Sequence, residues 1–208
     1  VTGRADKLPP GLHEITAEPL LNYLVALAQT SGKLPEGEET NLNKVYEALV
    51  QDVWERPWGE HQHFKPSRDD FFAVLEEVAL VTWHGDGKGA TVAAIRERCE
   101  EARLLPVLEA LNQSAEAGVL GLLVAFFFRE RGRNAEHERT FEFTHKSFGE
   151  YLLARRLVYA VQEIQEQREK HSQGGARSRA GWSETEALVF WAELCGPTLL
   201  TGHAAGFL

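Results

Sequence analysis

The stretches Val119-Leu-Gly-Leu-Leu-Val-Ala-Phe-Phe-Phe-Arg129 and Thr140-Phe-Glu-Phe-Thr144 decide the fold class of this chain. The first is a continuous apolar run rich in Val, Leu and Phe, and the second alternates with a period of two. Both patterns are typical of β-strands. Because a polar Gly-Arg-Asn sequence at 132–134 lies between them, the two stretches predict a β-hairpin within residues 119–144.

Apolar residues at helical spacing precede the hairpin. Ser67 is placed to cap a helix whose apolar residues recur at steps of three and four, and a glycine-rich segment at 85–89 ends that helix. Two shorter helices are predicted to begin at Thr91 and Leu105, the latter with proline in its first turn, where proline is tolerated. Three helices followed by a hairpin are the order of a winged-helix domain. Upstream of it, helices are predicted at 15–29 and 42–54.

The residues after the hairpin predict more helix. A long helix is expected at 147–169, a loop in the basic, glycine-rich stretch 170–181, and a last helix at 184–194. The fold class is therefore mainly α: a helical segment, then a winged-helix domain with a β-hairpin wing, then further helices. The predicted domains are a helical domain segment at 1–66, the winged-helix domain at 67–145 and a helical continuation at 146–208.

The charge balance bears on partners. The 208 residues include 22 Lys and Arg against 31 Asp and Glu, for a formal net charge of -9. A chain with this charge repels a phosphate backbone at long range, so nucleic acid is an unlikely partner.

The remaining composition points to the cytoplasm. Cys99 and Cys195 show no CxxC or Cys/His spacing, so we expect two reduced, buried thiols rather than a disulfide or zinc site. The start of the sequence has no signal-peptide core, and the longest apolar run is too short to span a bilayer. The sequence also contains no methionine, which favours a segment cut from a longer polypeptide.

One motif overlaps the end of the predicted hairpin. It reads Phe141-Glu-Phe-Thr-His-Lys-Ser-Phe-Gly-Glu-Tyr-Leu-Leu-Ala-Arg-Arg-Leu157. This segment resembles the end of the winged-helix domain in the NACHT family of STAND signalling NTPases, which includes animal NOD-like receptors and bacterial defence proteins. In that family a strand ends in histidine, followed by Lys or Arg, Ser or Thr, Phe, a short gap and Glu-Tyr or Glu-Phe.

Two further segments resemble the same family. Glu14-Ile-Thr-Ala-Glu-Pro-Leu-Leu-Asn-Tyr-Leu24 is similar to its first helical domain, where a turn ending in proline precedes a leucine-rich helix. The stretch from Leu42 to Arg56 is similar to the helix that usually follows. The three segments occur in family order over most of the chain.

The resemblance implies two nucleotide-contacting residues. His145 would contact the β-phosphate of bound ADP and hold the closed, inactive arrangement, and Pro19 would pack beside the adenine. Physical reasoning supports the first, since a histidine at a helix N-terminus beside Lys146 and Ser147 lies where backbone donors and the helix dipole favour an anion. The alternatives are that His145 caps or packs the hairpin and that Pro19 only begins a helix. Phe148, Tyr151 and Leu152 are expected in the core.

Other candidate sites are weaker. The sequence Gly85-Asp-Gly-Lys-Gly-Ala-Thr91 has the composition of a phosphate-binding loop but not its GxxxxGK[ST] spacing. His61 and His63 have no second cluster to complete a metal shell. The acidic pairs Glu76-Glu77 and Glu100-Glu101 are expected on solvated helix faces rather than in an acid/base dyad.

The chain lacks recognisable Walker A and Walker B motifs, so no hydrolysis is assigned to it and it is not expected to be an enzyme by itself. The resemblance implies ADP or ATP as cofactor of the intact parent protein, with none bound tightly to this chain alone. It also implies the nucleotide-binding domain of the same parent chain as partner, and a homo-oligomer on activation.

Two other functions remain open. A winged-helix DNA-binding regulator is favoured by Arg96, Arg98 and Arg103, although glutamates interleave with them. A helical adaptor without a nucleotide role would leave His145 purely structural.

Overall fold

The computed structural model describes residues 41–55, 65–85, 89–116, 128–133, 139–174, 180–196 and 198–208, together with the helical residues Asn22, Ala26 and Thr30. Seven helices and three strands lie in the seven continuous ranges. In chain order they are α1 (Leu42–Glu55), α2 (Arg68–His84), β1 (Ala90–Thr91), α3 (Val92–Glu101), α4 (Leu105–Glu116), β2 (Phe128–Arg133), β3 (Arg139–Phe143), α5 (Lys146–Gln173), α6 (Glu184–Cys195) and α7 (Gly202–Ala205).

The elements from α2 to β3 have winged-helix order, and the chain is mainly α as predicted. The sheet is antiparallel, with the strand order β1, β3, β2. The two-residue strand β1 was not predicted. It exists because Ala90 and Thr91 pair with Phe141 and Thr140 of the hairpin, which lie far away in the sequence.

The hairpin prediction is confirmed where the structure describes it. Phe128 pairs with Phe143, and the pairing continues to Arg133 and Arg139. The turn was wrongly predicted to begin at Gly132, because Gly132 and Arg133 belong to β2. An irregularity between Glu130 and Gly132 shifts the register by one residue and lengthens the strand. Residues 119–127 of the predicted first strand and 134–138 of the loop lie outside the described residues.

Side-chain caps explain where three of the helices begin. Ser67 accepts a hydrogen bond from the Asp70 amide at 3.0 Å, and Thr91 accepts one from the Ala94 amide at 3.1 Å. Ser183 and Glu186 form a reciprocal capping box at the start of α6. These bonds satisfy amides that the first turn of a helix leaves without intrahelical partners.

The long helix α5 extends beyond its prediction. It runs to Gln173, so the first residues of the predicted loop at 170–181 are helical. Residues 175–179 of that loop are not described. The chain returns to α5 at Gly181, whose φ of 75° suits glycine. A Cβ there would meet the Gln167 carbonyl, to which the Trp182 amide donates at 3.0 Å.

The hydrophobic core is built on α1, α2 and α5. It contains residues from all three predicted domain ranges, including Tyr46 of α1, Phe72 of α2 and Leu152 of α5. Phe148, Tyr151 and Leu152 are buried as expected, so the first turns of α5 are anchored in this core.

Two further expectations from the sequence concern the cysteines and the upstream helix. Cys99 is fully buried and Cys195 only partly so, and both are free thiols. The upstream helix predicted at 15–29 is described only at Asn22, Ala26 and Thr30, which are helical and exposed. Within the described ranges, no helix is long and apolar enough to span a bilayer.

We predict that Gly149→Ala destabilises the chain. A Cβ at Gly149 would lie 2.8 Å from the Phe143 ring, so either the buried ring or α5 would have to shift. We expect a loss of about 1–3 kcal/mol in the free energy of unfolding, although alanine favours helix over glycine by roughly 1 kcal/mol. Gly202→Ala is the matched control, because a Cβ there meets nothing within 4 Å. Urea denaturation of both variants measures the effect, and equal stabilities would contradict it.

We also predict that the two thiols differ in reactivity. Burial raises the pKa of Cys99 to about 11, and the nearby Glu77 carboxylate adds to the shift. At pH 8 the thiolate fraction of Cys99 should then be about a hundredfold below that of an ordinary thiol. Titration with an aromatic disulfide should modify Cys195 first and Cys99 only on unfolding. Rapid labelling of Cys99 in a folded Cys195→Ser variant would refute this.

Candidate functional site

The candidate site lies where the hairpin passes into α5. β3 ends at Phe143, and only Thr144 and His145 separate it from Lys146, the first residue of α5. Phe143 is buried, and its ring packs closely over Gly149. This close approach needs a glycine at position 149, and it fixes the N-terminus of α5 against the last strand.

His145 is the N-cap residue of α5. Its backbone is extended, with φ -123° and ψ 121°, and its carbonyl accepts a hydrogen bond from the Phe148 amide at 3.1 Å. The imidazole makes no capping hydrogen bond to α5. The alternative that His145 caps or packs the hairpin therefore stays a prediction.

Thr144 adds an unusual feature beside His145. Its hydroxyl oxygen is buried and has no hydrogen-bond partner among the described residues. An unpaired buried hydroxyl costs free energy, so buried hydroxyls in native proteins normally have a protein, water or ligand partner. The hydroxyl of Thr144 is thus a second polar group at the end of the hairpin.

Lys146 is committed to a neighbour on its own helix. Its Nζ lies 3.2 Å from a carboxylate oxygen of Glu150, which also accepts a hydrogen bond from the Thr201 hydroxyl at 2.9 Å. The Glu150 side chain is only 10% exposed, whereas that of Lys146 is 66% exposed. An anion approaching the start of α5 therefore meets a lysine whose charge is partly balanced by glutamate.

The first turns of α5 are held by an aromatic cluster consisting of Tyr46, Phe148, Tyr151 and Phe207. The Tyr46 ring contacts the other three at centroid distances of 5.0 to 5.5 Å. Asn43 strengthens the contact with the C-terminal segment by donating to the Phe207 carbonyl at 3.1 Å. Edge-to-face and offset stacked rings of this kind stabilise a fixed packing. His145 is consequently attached to a firmly placed helix.

The other predicted nucleotide contact, Pro19, lies outside the described residues. The same holds for His61 and His63, and for residues 86–88 of the glycine-rich loop. In the part of the chain that the structure describes, no three His, Cys, Asp or Glu side chains form a group that could hold a metal ion.

Two of the three arginines that favoured DNA binding form ion pairs with glutamates, and the third, Arg103, is exposed. Arg96 pairs with Glu109 at 2.7 Å, and Arg98 pairs with Glu77 and Glu101 at 2.6 and 2.9 Å. Helix α4, the last helix before the hairpin, has the sequence LPVLEALNQSAE and contains no Lys or Arg. These features give a phosphate backbone little to bind.

The pair Glu76-Glu77 is the largest departure from expectation. Glu100 and Glu101 are exposed as predicted, but Glu76 and Glu77 are buried, each against arginine. The prediction of a solvated face failed because the residues of α2 before and after the pair are apolar and buried, so the helix has little surface in water. Near-continuous hydrophobicity from 71 to 83 was the signal available in the sequence.

Comparison with known proteins adds no further constraint. No protein-family model matches the chain, and the searches of curated proteins and of solved structures found no significant match.

Proposed function

We propose that this chain is the regulatory, nucleotide-sensing part of a NACHT-type signalling ATPase in the cytoplasm, and that it stabilises the ADP-bound closed state through His145. The nucleotide-binding domain of the same parent chain would supply the phosphate loop and the magnesium site. Pro19 would form part of the adenine wall, and release of the closed state would allow a homo-oligomer to form.

The observation that carries the proposal is the placement of His145. The residue stands at the N-terminus of a 28-residue helix, next to the Thr144 hydroxyl, which has no hydrogen-bond partner in the part of the chain that the structure describes. Helix N-termini attract anions because their amides and dipole present positive charge. An imidazole fixed at that end can donate a hydrogen bond to a diphosphate oxygen.

Such a contact would act as a switch by differential binding. A ligand shifts a two-state equilibrium only by the difference between its affinities for the two states. A bond that His145 makes to ADP only in the closed arrangement would therefore favour that arrangement. The rigid anchoring of α5 supports this role, because a histidine on a mobile segment would lose entropy on contact.

We predict that His145→Ala or His145→Leu in the full-length protein weakens the closed state by about 1.5–3 kcal/mol, the range for a hydrogen bond to a charged group. The closed-to-open ratio should fall by roughly ten- to a hundredfold. ADP affinity should decrease, and activity or oligomerisation without the trigger should rise. The 208-residue chain should keep its melting temperature, since His145 is only partly buried.

His171→Ala is the matched control, because His171 lies on the same helix, near its other end, and is exposed. It should change neither ADP affinity nor basal activity. Unchanged ADP affinity in a well-folded His145 variant would reduce the residue to a structural role and would remove the main support for the proposal.

We predict further that the 208-residue chain by itself hydrolyses ATP no faster than background, because its sequence lacks the groups that hold phosphates and magnesium. Phosphate release from purified material measures this. Turnover that is abolished by a substitution within these residues would contradict the assignment.

A further inference from the structure

Two consecutive carboxylates of α2 meet two consecutive guanidiniums of α5. Glu76 accepts a hydrogen bond from Arg155 Nε at 2.8 Å, and Glu77 accepts one from Arg156 Nε at 2.6 Å. The second oxygen of Glu77 accepts from Arg98 Nε of α3, also at 2.6 Å. Glu77 is therefore shared between two arginines on two helices.

The set of Glu77, Arg98 and Arg156 is called here the Glu77 hub. Glu77 and Arg156 lie inside the protein, whereas the side chain of Arg98 is 27% exposed. The side chain of Glu77 is 5% exposed and that of Arg156 is 10% exposed. Moving such charges out of water costs several kcal/mol per ion, which their attraction often only balances. A buried ion pair is therefore weak evidence for net stability, and its presence calls for another explanation.

The hydrogen bonding of the hub also indicates a role other than net stability. Arg156 Nη1 is buried and has no hydrogen-bond partner among the described residues. Next to the hub, burial raises the pKa of Glu76 even though Arg155 and Arg156 oppose the shift. An arrangement selected for stability alone would not leave a buried guanidinium nitrogen unpaired.

We propose that the Glu77 hub fixes the register and rotation of α5 on α2 and α3, and so places the N-terminus of α5, with His145, relative to the winged helix. The apolar contacts of Phe143 and Tyr46 hold the first turns of α5, but apolar surfaces alone tolerate small shifts and rotations, because they contain no directed bonds. Charge pairs with short, directed hydrogen bonds do not tolerate them. A turn of α5 by one residue would rotate its side chains by about 100° and separate both carboxylates from their arginines.

A short stretch of a single helix connects the hub to His145. Arg156 and His145 lie on one continuous helix, about 16 Å apart along its axis at 1.5 Å per residue. A rotation of α5 at Arg156 is therefore transmitted to His145. The consequence for nucleotide sensing rests on the proposed function, whereas the register itself can be tested without nucleotide.

The experiment compares removal of one charge with removal of the whole hub in the 208-residue chain. Glu77→Gln leaves the buried Arg156 without a carboxylate and Arg98 with only that of Glu101, so it should lower the melting temperature by about 10 °C or more. The triple variant Glu77→Leu, Arg98→Met, Arg156→Met replaces the hub by apolar groups and should melt within a few degrees of the original chain. Despite this stability, amide exchange in residues 146–157 should accelerate by about tenfold or more, and the NMR signals of His145 should shift or broaden.

Two further variants keep the test decisive. Arg96→Met with Glu109→Leu removes an exposed ion pair between α3 and α4 and should alter neither melting nor exchange in α5. Arg156→Lys retains the charge but loses the planar fork, so it should fold and still accelerate exchange near His145. It serves as the measurement if the triple variant does not fold.

Unchanged exchange and unchanged His145 signals in the triple variant, or in Arg156→Lys, would overturn the proposal. A folded triple variant as unstable as Glu77→Gln would overturn it too, because the hub would then serve net stability. Since every readout is made without nucleotide, a failure here is separate from a failure of ADP binding in the full-length His145 variants.

Discussion

The structure depends on the enclosure of α2. This helix buries residues on nearly all of its faces, from Phe71 to Trp83, because α1, the helices α3 and α4 and the long helix α5 pack around it. Its two glutamates therefore have little access to water, and the chain must bring their counter-charges inside. Each arginine that does so ties another helix to α2. Arg155 and Arg156 fix α5, and Arg98 fixes α3.

A second, more exposed layer of charge extends this arrangement to α1. Glu47 of α1 lies 2.6 Å from Arg68 and 3.8 Å from Arg155, and both guanidiniums lie over the ring of Phe72 at less than 5 Å. Cation–π contacts and a shared carboxylate at a partly exposed site contribute about 1 kcal/mol or less each. Their value lies in orientation, since they hold α1 beside α5 while Tyr46 and its aromatic neighbours supply the buried area.

Local signals in the sequence predicted the helices well. Ser67 is the N-cap that the sequence predicted, and the period-two pattern of 140–144 corresponds to β3. Thr91 and Ser183 are also N-caps, and the helices after them were predicted within one residue of their observed starts. What failed depended on distant pairing. Strand β1 exists only because it pairs with β3, and the burial of Glu76 and Glu77 depends on arginines 79 positions away in the sequence. Neither pairing leaves a local pattern, although the near-continuous hydrophobicity from 71 to 83 indicated that α2 is buried.

The candidate site was only partly predictable for the same reason. The motif placed His145 at a strand-to-helix junction, which the structure contains, but nothing local indicated that Thr201 would reach Glu150.

That contact matters for the electrostatics at His145. The start of α5 offers an anion the helix dipole, an imidazole and an exposed lysine, but the nearly buried Glu150 balances much of the charge of Lys146. The site alone should therefore bind phosphate weakly, and under the proposed function the strong donors would come from the phosphate-binding loop of the nucleotide-binding domain. Weak intrinsic affinity suits a sensor. A group that held the nucleotide tightly in every arrangement would stabilise the closed and open states equally and shift nothing, whereas a single directed bond that forms in only one arrangement contributes its whole free energy to the difference between them.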